Sequence, residues 1–178
     1  NKLKIKIVHP VIISTKIITF DQTKNTYTSR KSPKKGCIYD IFKELTKIYT
    51  FLLDKNFELD IVYINMIEER IKNKDPIQSK NNKRRYKKNW IKTNKKLDEI
   101  IKTETFNSKE KYIELLPQNL QNEFCAADLA KSLKDNKSIP SRISKNSHLI
   151  IWVFNKMNLI SHSKKEGKTN YYKLNNTY

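Results

Sequence analysis

Phe124-Cys-Ala-Ala-Asp-Leu-Ala-Lys-Ser-Leu133, the polar stretch Lys134–Ile139 and the run Pro140–Met157 decide how the C-terminal part of this chain folds. Apolar residues at helical spacing in the first and third stretches predict two helices joined by a polar turn. The following residues, Leu159–Leu174, hold two short apolar runs around a basic tip that contains Gly167. That pattern predicts a β-hairpin, so the expected order is helix, turn, helix, hairpin.

A further helix is predicted upstream, over Ser108–Leu120. Ser108 is a suitable N-cap, Tyr112 and Leu116 fall on an inward face, and Pro117 ends or kinks the helix. Three helices followed by a hairpin resemble the winged helix-turn-helix superfamily. The resemblance covers about two fifths of the chain, residues 107–178.

The resemblance implies a DNA-reading surface. In a winged helix, the N-terminal residues of the second helix of the turn motif enter the major groove. Arginine pairs well with guanine and asparagine with adenine, whereas serine and lysine more often reach phosphate. The expected contacts from this helix are Ser141, Arg142, Ser144, Lys145 and Asn146, and those from the hairpin tip, or wing, are Lys164, Lys165 and Lys168. Winged helices also bind proteins, and that alternative stays open.

The front of the chain predicts a separate α/β domain over residues 1–75. Alternating or branched apolar residues predict strands over 2–13, 16–21, 26–29 and 57–65, and an amphipathic helix over Ile38–Leu53. The expected fold class is α+β: a mixed α/β sheet domain in the order β-β-β-α-β, followed by the winged helix-turn-helix.

Between these parts the character of the sequence changes. Residues 76–89 are polar and dense in positive charge, which predicts a basic linker or arm that orders on a nucleic-acid backbone. Trp90–Thr105 predicts a helix with one apolar stripe, so residues 90–178 form the expected second domain. The arm contributes Arg84, Arg85, Lys87 and Lys88 to the predicted interface. A solvated linker without a ligand is the alternative.

A second basic segment precedes the predicted front helix. Arg30-Lys-Ser-Pro-Lys-Lys-Gly36 leads into the helix N-terminus, where backbone amides and the helix dipole favour an anion. The expected phosphate contacts are Arg30, Lys31, Lys34 and Lys35, and a solvated basic turn is the alternative. Glycine occurs at only two positions, Gly36 and Gly167, so each is expected to mark a positive φ or a close backbone approach.

The charge balance points to an anionic partner. The chain has 37 Lys and Arg against 18 Asp and Glu, a net charge of +19. DNA is the expected partner, with RNA as the second choice and no membrane partner. An AT-rich genome, which raises the lysine content, is a competing cause of the charge. The oligomeric state is left open.

The cysteines argue against a metal or disulfide framework. Cys37 and Cys125 have no His or Cys at ligand spacing, which fits a reducing cytosol. We therefore expect a cytoplasmic protein with no bound metal and no other cofactor.

A metal-dependent nuclease of the restriction-endonuclease type, or the targeting subunit of one, is the enzymatic alternative. The front order of strands invites comparison with restriction-type nucleases, which hold Mg²⁺ between an Asp and a Glu-x-Lys on adjacent strands. Asp21 and Lys31 are the candidate catalytic residues, although the acidic residue that should precede the lysine is missing. Mg²⁺ is expected only if this alternative holds.

Several segments together resemble a group of uncharacterised bacterial proteins with two modules. They are the loop Arg30–Gly36, Asp40-Ile-Phe-Lys-Glu-Leu45, Lys87-Lys-Asn-Trp90 and the helix from Phe124 to Ala130. The resemblance implies a basic Ser-Pro loop in front and a winged helix behind, and it carries no functional residues.

Overall fold

The computed structural model describes residues 3–78, 83 and 85–175. Within them the protein is a mixed α+β structure with few helices. The strands are β1 (Ile5–Asp21), β2 (Thr26–Lys31), β3 (Phe57–Ile77), β4 (Lys88–Phe106), β5 (Glu123–Phe124), β6 (Ile160–Glu166) and β7 (Thr169–Leu174). The helices are α1 (Phe42–Ile48), α2 (Lys109–Ile113), α3 (Ala126–Asp135) and α4 (Ser147–Lys156).

The first sheet has the order β2-β1-β3-β4. Lys6 near the start of β1 forms an ion pair with Glu58 near the start of β3, at 3.2 Å. Lys72 reaches Asp21 at the end of β1, at 2.7 Å. These contacts show that β1 and β3 run in the same direction, so the sheet is mixed as the sequence predicts.

β1 corrects the predicted count of strands. The segments 2–13 and 16–21 were expected to be separate, but Ile5–Asp21 is one strand of 17 residues. Pro10, the expected interruption, lies in the strand because pairing with β2 begins only at Lys16. Proline has no amide hydrogen, but Pro10 lies outside the part of β1 that pairs with β2, so no hydrogen bond to β2 is lost there. The observed front order is β-β-α-β.

The β1–β2 hairpin is confirmed. β2 pairs antiparallel with the end of β1, from Lys16 opposite Lys31 to Asp21 opposite Thr26. Asp21 closes the turn, since its carboxylate accepts a hydrogen bond from the Thr23 amide at 3.1 Å.

The predicted front helix is present but short. A 3₁₀ turn over Ile38–Ile41 leads into α1, which ends at Ile48 rather than Leu53. Ile41, Phe42 and Leu45 are buried, as the amphipathic spacing predicts.

The prediction of a helix over residues 90–105 is wrong, because this segment is β4. β3 continues to Ile77, well past the predicted end, and its outer edge needs hydrogen-bond partners that β4 provides. The apolar stripe that suggested a helix is not buried: Leu97 is 55% exposed and Ile100 57%. The ends of the predicted arm, residues 76–77 and 88–89, therefore lie in β3 and β4, and the boundaries of independently folding domains stay a prediction.

The C-terminal part, residues 108–175, contains α2, α3, α4 and a sheet with the order β5-β7-β6. Ser108 caps α2 by accepting the Lys111 amide, as predicted, but the helix ends at Ile113. A second 3₁₀ turn over Ser141–Asn146 precedes α4 where the sequence predicts a continuous helix from Pro140. The β6–β7 hairpin is confirmed, and Gly167 at its tip has a φ of +58°.

Contacts divide the chain into two units, neither of which is one continuous stretch. The first unit holds residues 1–9, 37–61 and 103–178, and the second holds 10–36 and 62–102. The first unit has the larger core, in which Phe42, Leu129 and Phe154 have no exposed surface. The second has a smaller core that includes Val11 and Ile17.

Candidate nucleic-acid interface

α3 is fixed at its start by its own sequence. The Cys125 amide donates to the Asp128 carboxylate at 2.8 Å, and this satisfies one of the amides that a helix start leaves unpaired. Leu129 and Leu133 are fully buried beneath the helix, so its polar side faces solvent. The N-terminal turn of α3 is thereby held in place.

α4 has one buried and one exposed face. Apolar residues at helical spacing, including Ile150, Val153 and Phe154, are buried. The exposed residues follow the same spacing on the other side: His148, Trp152, Asn155 and Lys156. α4 therefore presents a polar and aromatic face to solvent.

The β6–β7 hairpin is tied to the end of α4. The Asn175 amide group donates to the Asn158 carbonyl oxygen at 2.8 Å, and the Asn175 backbone amide donates to Leu159 at 3.0 Å. Asn158 itself has a φ of +56°, which asparagine tolerates better than most residues. These bonds fix the direction in which the hairpin leaves α4.

A cleft of about 770 Å³ lies between α3, α4 and β7. Lys156 and Lys168 lie on its wall, and no Asp or Glu is among the lining residues that the structure describes. The remaining polar or aromatic lining side chains are Ser147, His148, Trp152, Asn155, Thr169, Asn170 and Tyr172. The cleft is therefore positively charged and rich in hydrogen-bonding groups, both of which suit an anionic ligand.

The structure places Arg142, the predicted base-reading residue, in an ion pair with Asp40. Both terminal guanidinium nitrogens, Nη1 and Nη2, donate to the carboxylate, and the bond from Nη2 measures 2.7 Å. The hydrogen bonds from Arg142 hold the pKa of Asp40 below its usual range, and the same pair raises the pKa of Arg142. A base contact by Arg142 would require this bidentate pair to open.

The other predicted residues of the 3₁₀ turn stay near the surface. Lys145 and Ser141 are exposed, and Ser144 and Asn146 are partly exposed. Ser144 donates its hydroxyl hydrogen to the Ser141 carbonyl oxygen at 2.8 Å, which stabilises the turn.

The predicted residues of the wing differ in their surroundings. Lys164 forms ion pairs with Glu166 at 2.8 Å and with Glu123 at 3.5 Å. Lys165 and Lys168 are exposed, and neither has an ion-pair partner within the described part of the chain. Lys168 alone of the three lines the cleft.

The basic arm is only partly described. Arg84 lies outside the described residues. Arg85 lies over the ring of Tyr86 at 5.2 Å, and Lys88 lies over the ring of Trp90 at 5.1 Å. Arg85, Lys87 and Lys88 are exposed, and Lys88 already belongs to β4.

The segment 30–36 begins in a strand and continues as a loop. Arg30 and Lys31 lie in β2, while Lys34 and Lys35 are exposed beyond it. The helix start that follows is already capped, because the Cys37 amide donates to Asp40 at 2.9 Å. The amide that an anion was expected to use is therefore bonded within the protein.

Asp21 and Lys31, the candidate catalytic pair, are not brought together. They lie at opposite ends of the β1–β2 ladder, five residue pairs apart, or roughly 17 Å. The hydrogen bond from Lys72 lowers the pKa of Asp21, so this carboxylate is committed to an ion pair and to the turn. In the described residues no group of three or more His, Cys, Asp or Glu is arranged to hold a metal ion.

Sequence reasoning missed the cleft itself. No contact is predicted for Lys156, Asn155 or Trp152, because the winged-helix resemblance places the contacts in the first turns of the predicted helix. The signal was present in the spacing: positions 148, 152, 155 and 156 share the polar face of one helix.

The described part of the chain contains no helix with the length and apolar character needed to cross a membrane.

Comparison with known proteins identifies the front of the chain. The family described as "Domain of unknown function (DUF8091)" matches residues 1–107, and the chain belongs to this family. The match runs through all of β1 to β4 and ends one residue beyond β4. An "Uncharacterized protein" of Treponema pallidum (strain Nichols) is 30% identical over 129 residues, which is 72% of this chain and 49% of the relative. The chain thus spans about half the length of that relative. No solved structure matches.

Proposed function

We propose that this member of the DUF8091 family binds nucleic acid, with double-stranded DNA as the leading ligand, through a winged helix formed by residues 108–175. The order α2-β5-α3-α4-β6-β7 and the sheet order β5-β7-β6 are what that fold requires. In this interpretation α4, with the 3₁₀ turn before it, is the reading helix, and the β6–β7 tip is the wing.

The cleft supports this proposal most directly. It lies between the exposed face of α4 and the hairpin tip, and two lysines from these two elements, Lys156 and Lys168, face it. A nucleic-acid backbone is a chain of phosphates, and lysine at both sides of a groove is suited to it. His148 and Asn155 add hydrogen-bonding groups that could contact base edges.

The proposed interface differs from the one that the sequence predicts. Lys145, Lys165 and Lys168 remain phosphate contacts, and Lys156 joins them. Arg142 is assigned to hold Asp40 in the free protein, since a bidentate carboxylate pair is a strong interaction for arginine to give up.

The test is a titration of fluorescently labelled duplex DNA, followed by anisotropy at several salt concentrations. The variant Lys156→Ala with Lys168→Ala should weaken binding by about tenfold or more and lower the salt slope by about two. The matched control, Lys55→Ala with Lys109→Ala, removes two exposed lysines of the same unit that lie away from the cleft. Equal loss in both variants would mean that net charge, not the cleft, determines binding. Single-stranded and double-stranded RNA as competitors decide between DNA and RNA.

A protein-binding winged helix is the second candidate, and Trp152 favours it. This side chain is 40% exposed at the cleft, and a partly exposed tryptophan is common at protein interfaces. The same titration separates the candidates, because a protein-binding module should show only weak affinity for duplex that does not depend on Lys156 and Lys168.

A further inference from the structure

β4 is an edge strand with unusual exposure. It is the last strand in the order β2-β1-β3-β4, so its outer edge has no strand partner among the described residues. All residues from 92 to 103 are exposed, among them Leu97, Ile100 and Ile101. A long edge strand with apolar side chains is a template for pairing with another strand.

The central sequence of β4 is complementary to itself. Lys95-Lys96-Leu97-Asp98-Glu99 places two cations before a leucine and two anions after it. When this segment pairs antiparallel with an identical segment, Lys96 lies opposite Asp98 and Lys95 opposite Glu99. Each pairing occurs twice, so four opposite-charge pairs flank one leucine pair.

Symmetry restricts the register. Residues directly opposite each other in a sheet have side chains on the same face. In a symmetric antiparallel pair of identical strands, one residue must therefore lie opposite its own copy, and the twofold axis passes midway between these two copies. An axis through Lys96, Asp98 or Glu99 would oppose identical charges. An axis through Leu97 avoids this at the centre. Further out it places Lys92 opposite Lys102, but Lys92 forms an ion pair with Glu68 of the same chain at 2.8 Å.

The surroundings of these side chains favour the same choice. Neither Lys95 nor Asp98 has an ion-pair partner within the described part of the chain. An axis through Ile100 also gives opposite charges, but it opposes Lys96 with Glu104 and leaves Lys95 and Glu99 without a charged partner. The register centred on Leu97 places Lys95 opposite Glu99 and Asp98 opposite Lys96, so both residues gain a partner of opposite charge.

We propose that the outer edge of β4 pairs antiparallel with β4 of a second copy of this chain, with Leu97 on the twofold axis. The interface is isologous, so each chain contributes the same strand. The net charge of +19 opposes association of two copies, and the opposite-charge pairs between the two strands offset this repulsion locally.

Sedimentation velocity over a range of concentrations tests the association without any nucleic acid. The wild-type protein should form dimers. Lys95→Glu should raise the dissociation constant by about tenfold or more, since the introduced carboxylate lies opposite Glu99 at both symmetric positions. Glu99→Lys should have a similar effect. An equimolar mixture of the two variants should restore dimers, because each chain then carries the charges that the other lacks.

Cross-linking tests the register. Leu97→Cys should form an interchain disulfide under mild oxidation, whereas Ile100→Cys should not, and the wild-type protein with Cys37 and Cys125 is the control. Circular dichroism of each variant checks that it is folded. A wild-type protein that stays monomeric at all concentrations overturns the proposal, as does a mixture that fails to recover dimers or a cross-link through position 100 alone.

Discussion

The C-terminal part and the β3–β4 ribbon, residues 62–77 and 88–102, are both rich in lysine, but they use the charge differently. In the ribbon several cations contact groups of the protein itself: Lys92 pairs with Glu68 at 2.8 Å, and Arg70 lies 3.6 Å from the centre of the Trp90 ring. In the C-terminal part, Lys145, Lys165 and Lys168 have no ion-pair partner among the described residues. The difference shows that net charge alone does not locate a ligand surface.

The two regions are also stabilised by different kinds of interaction. The C-terminal part is held by apolar side chains with no exposed surface, such as Leu129, Val153 and Phe154. The ribbon relies on backbone pairing and on charge pairs across its strands. Glu68 illustrates this: burial would raise its pKa, but hydrogen bonds from Lys92 and Arg70 outweigh burial and lower the pKa.

The largest expected effect comes from the apolar core. Leu129→Ala should lower the free energy of unfolding by about 2–5 kcal/mol, because Leu129 is fully buried and a cavity remains. Leu97→Ala in the ribbon should cost less than ~1 kcal/mol at concentrations where the chain is monomeric. Urea denaturation measures both. Equal losses would remove the distinction between the regions.

The two glycines provide the next comparison. Gly36→Ala should cost about 2 kcal/mol, because an added Cβ would lie 2.6 Å from the Ile12 carbonyl oxygen, to which the Gly36 amide is bonded. Gly167→Ala should cost about 1 kcal/mol, because its φ is +58° and no atom crowds the site. Gly167→Asn is the matched control, since asparagine tolerates this conformation, and it should cost less than Gly167→Ala. Thermal unfolding checks the ranking, and a neutral Gly36→Ala would contradict the close approach.

The smallest expected effect concerns pH. The pKa of Asp40 is lowered by Arg142, so its ion pair stabilises the folded state above the unfolded pKa of about 4, and this contribution is lost as pH falls through the lower folded pKa. Asp40→Asn should cost about 1 kcal/mol at pH 7, a low value because both side chains are partly exposed. The variant should also lose less stability than the wild type between about pH 4 and pH 2. Asp135→Asn, at an exposed aspartate that has no ion pair among the described residues, is the control, and identical pH profiles for wild type and Asp40→Asn would refute the role of the pair.

Local structure could be predicted best where the interacting residues lie close together in the sequence. The β1–β2 hairpin, the Ser108 cap, the β6–β7 hairpin and the constraints on Gly36 and Gly167 all follow from residues a few positions apart or from one residue type. The helix predicted over 90–105 failed because its apolar stripe, Leu97 with Ile100 and Ile101, is not buried. Residues 90–105 form a strand because the edge of β3 requires hydrogen-bond partners, and the local sequence pattern does not show this requirement.

The candidate site could be predicted only in outline. Helical spacing separates the buried and exposed faces of α4, so the polar face that holds His148 and Asn155 could be predicted from the sequence. The ion pair between Arg142 and Asp40 could not, because the two residues are 102 positions apart. The same is true of the distance between Asp21 and Lys31, which depends on the direction and register of a hairpin.

Hydrogen–deuterium exchange with and without duplex DNA tests the central claim most directly, because it reports both regions in one experiment. The proposal predicts slower exchange on DNA addition in α4 and at the β6–β7 tip, residues 147–156 and 164–170, with little change in residues 88–102. Protection confined to residues 88–102, with α4 and the hairpin tip unchanged, would contradict it and assign the binding to the ribbon.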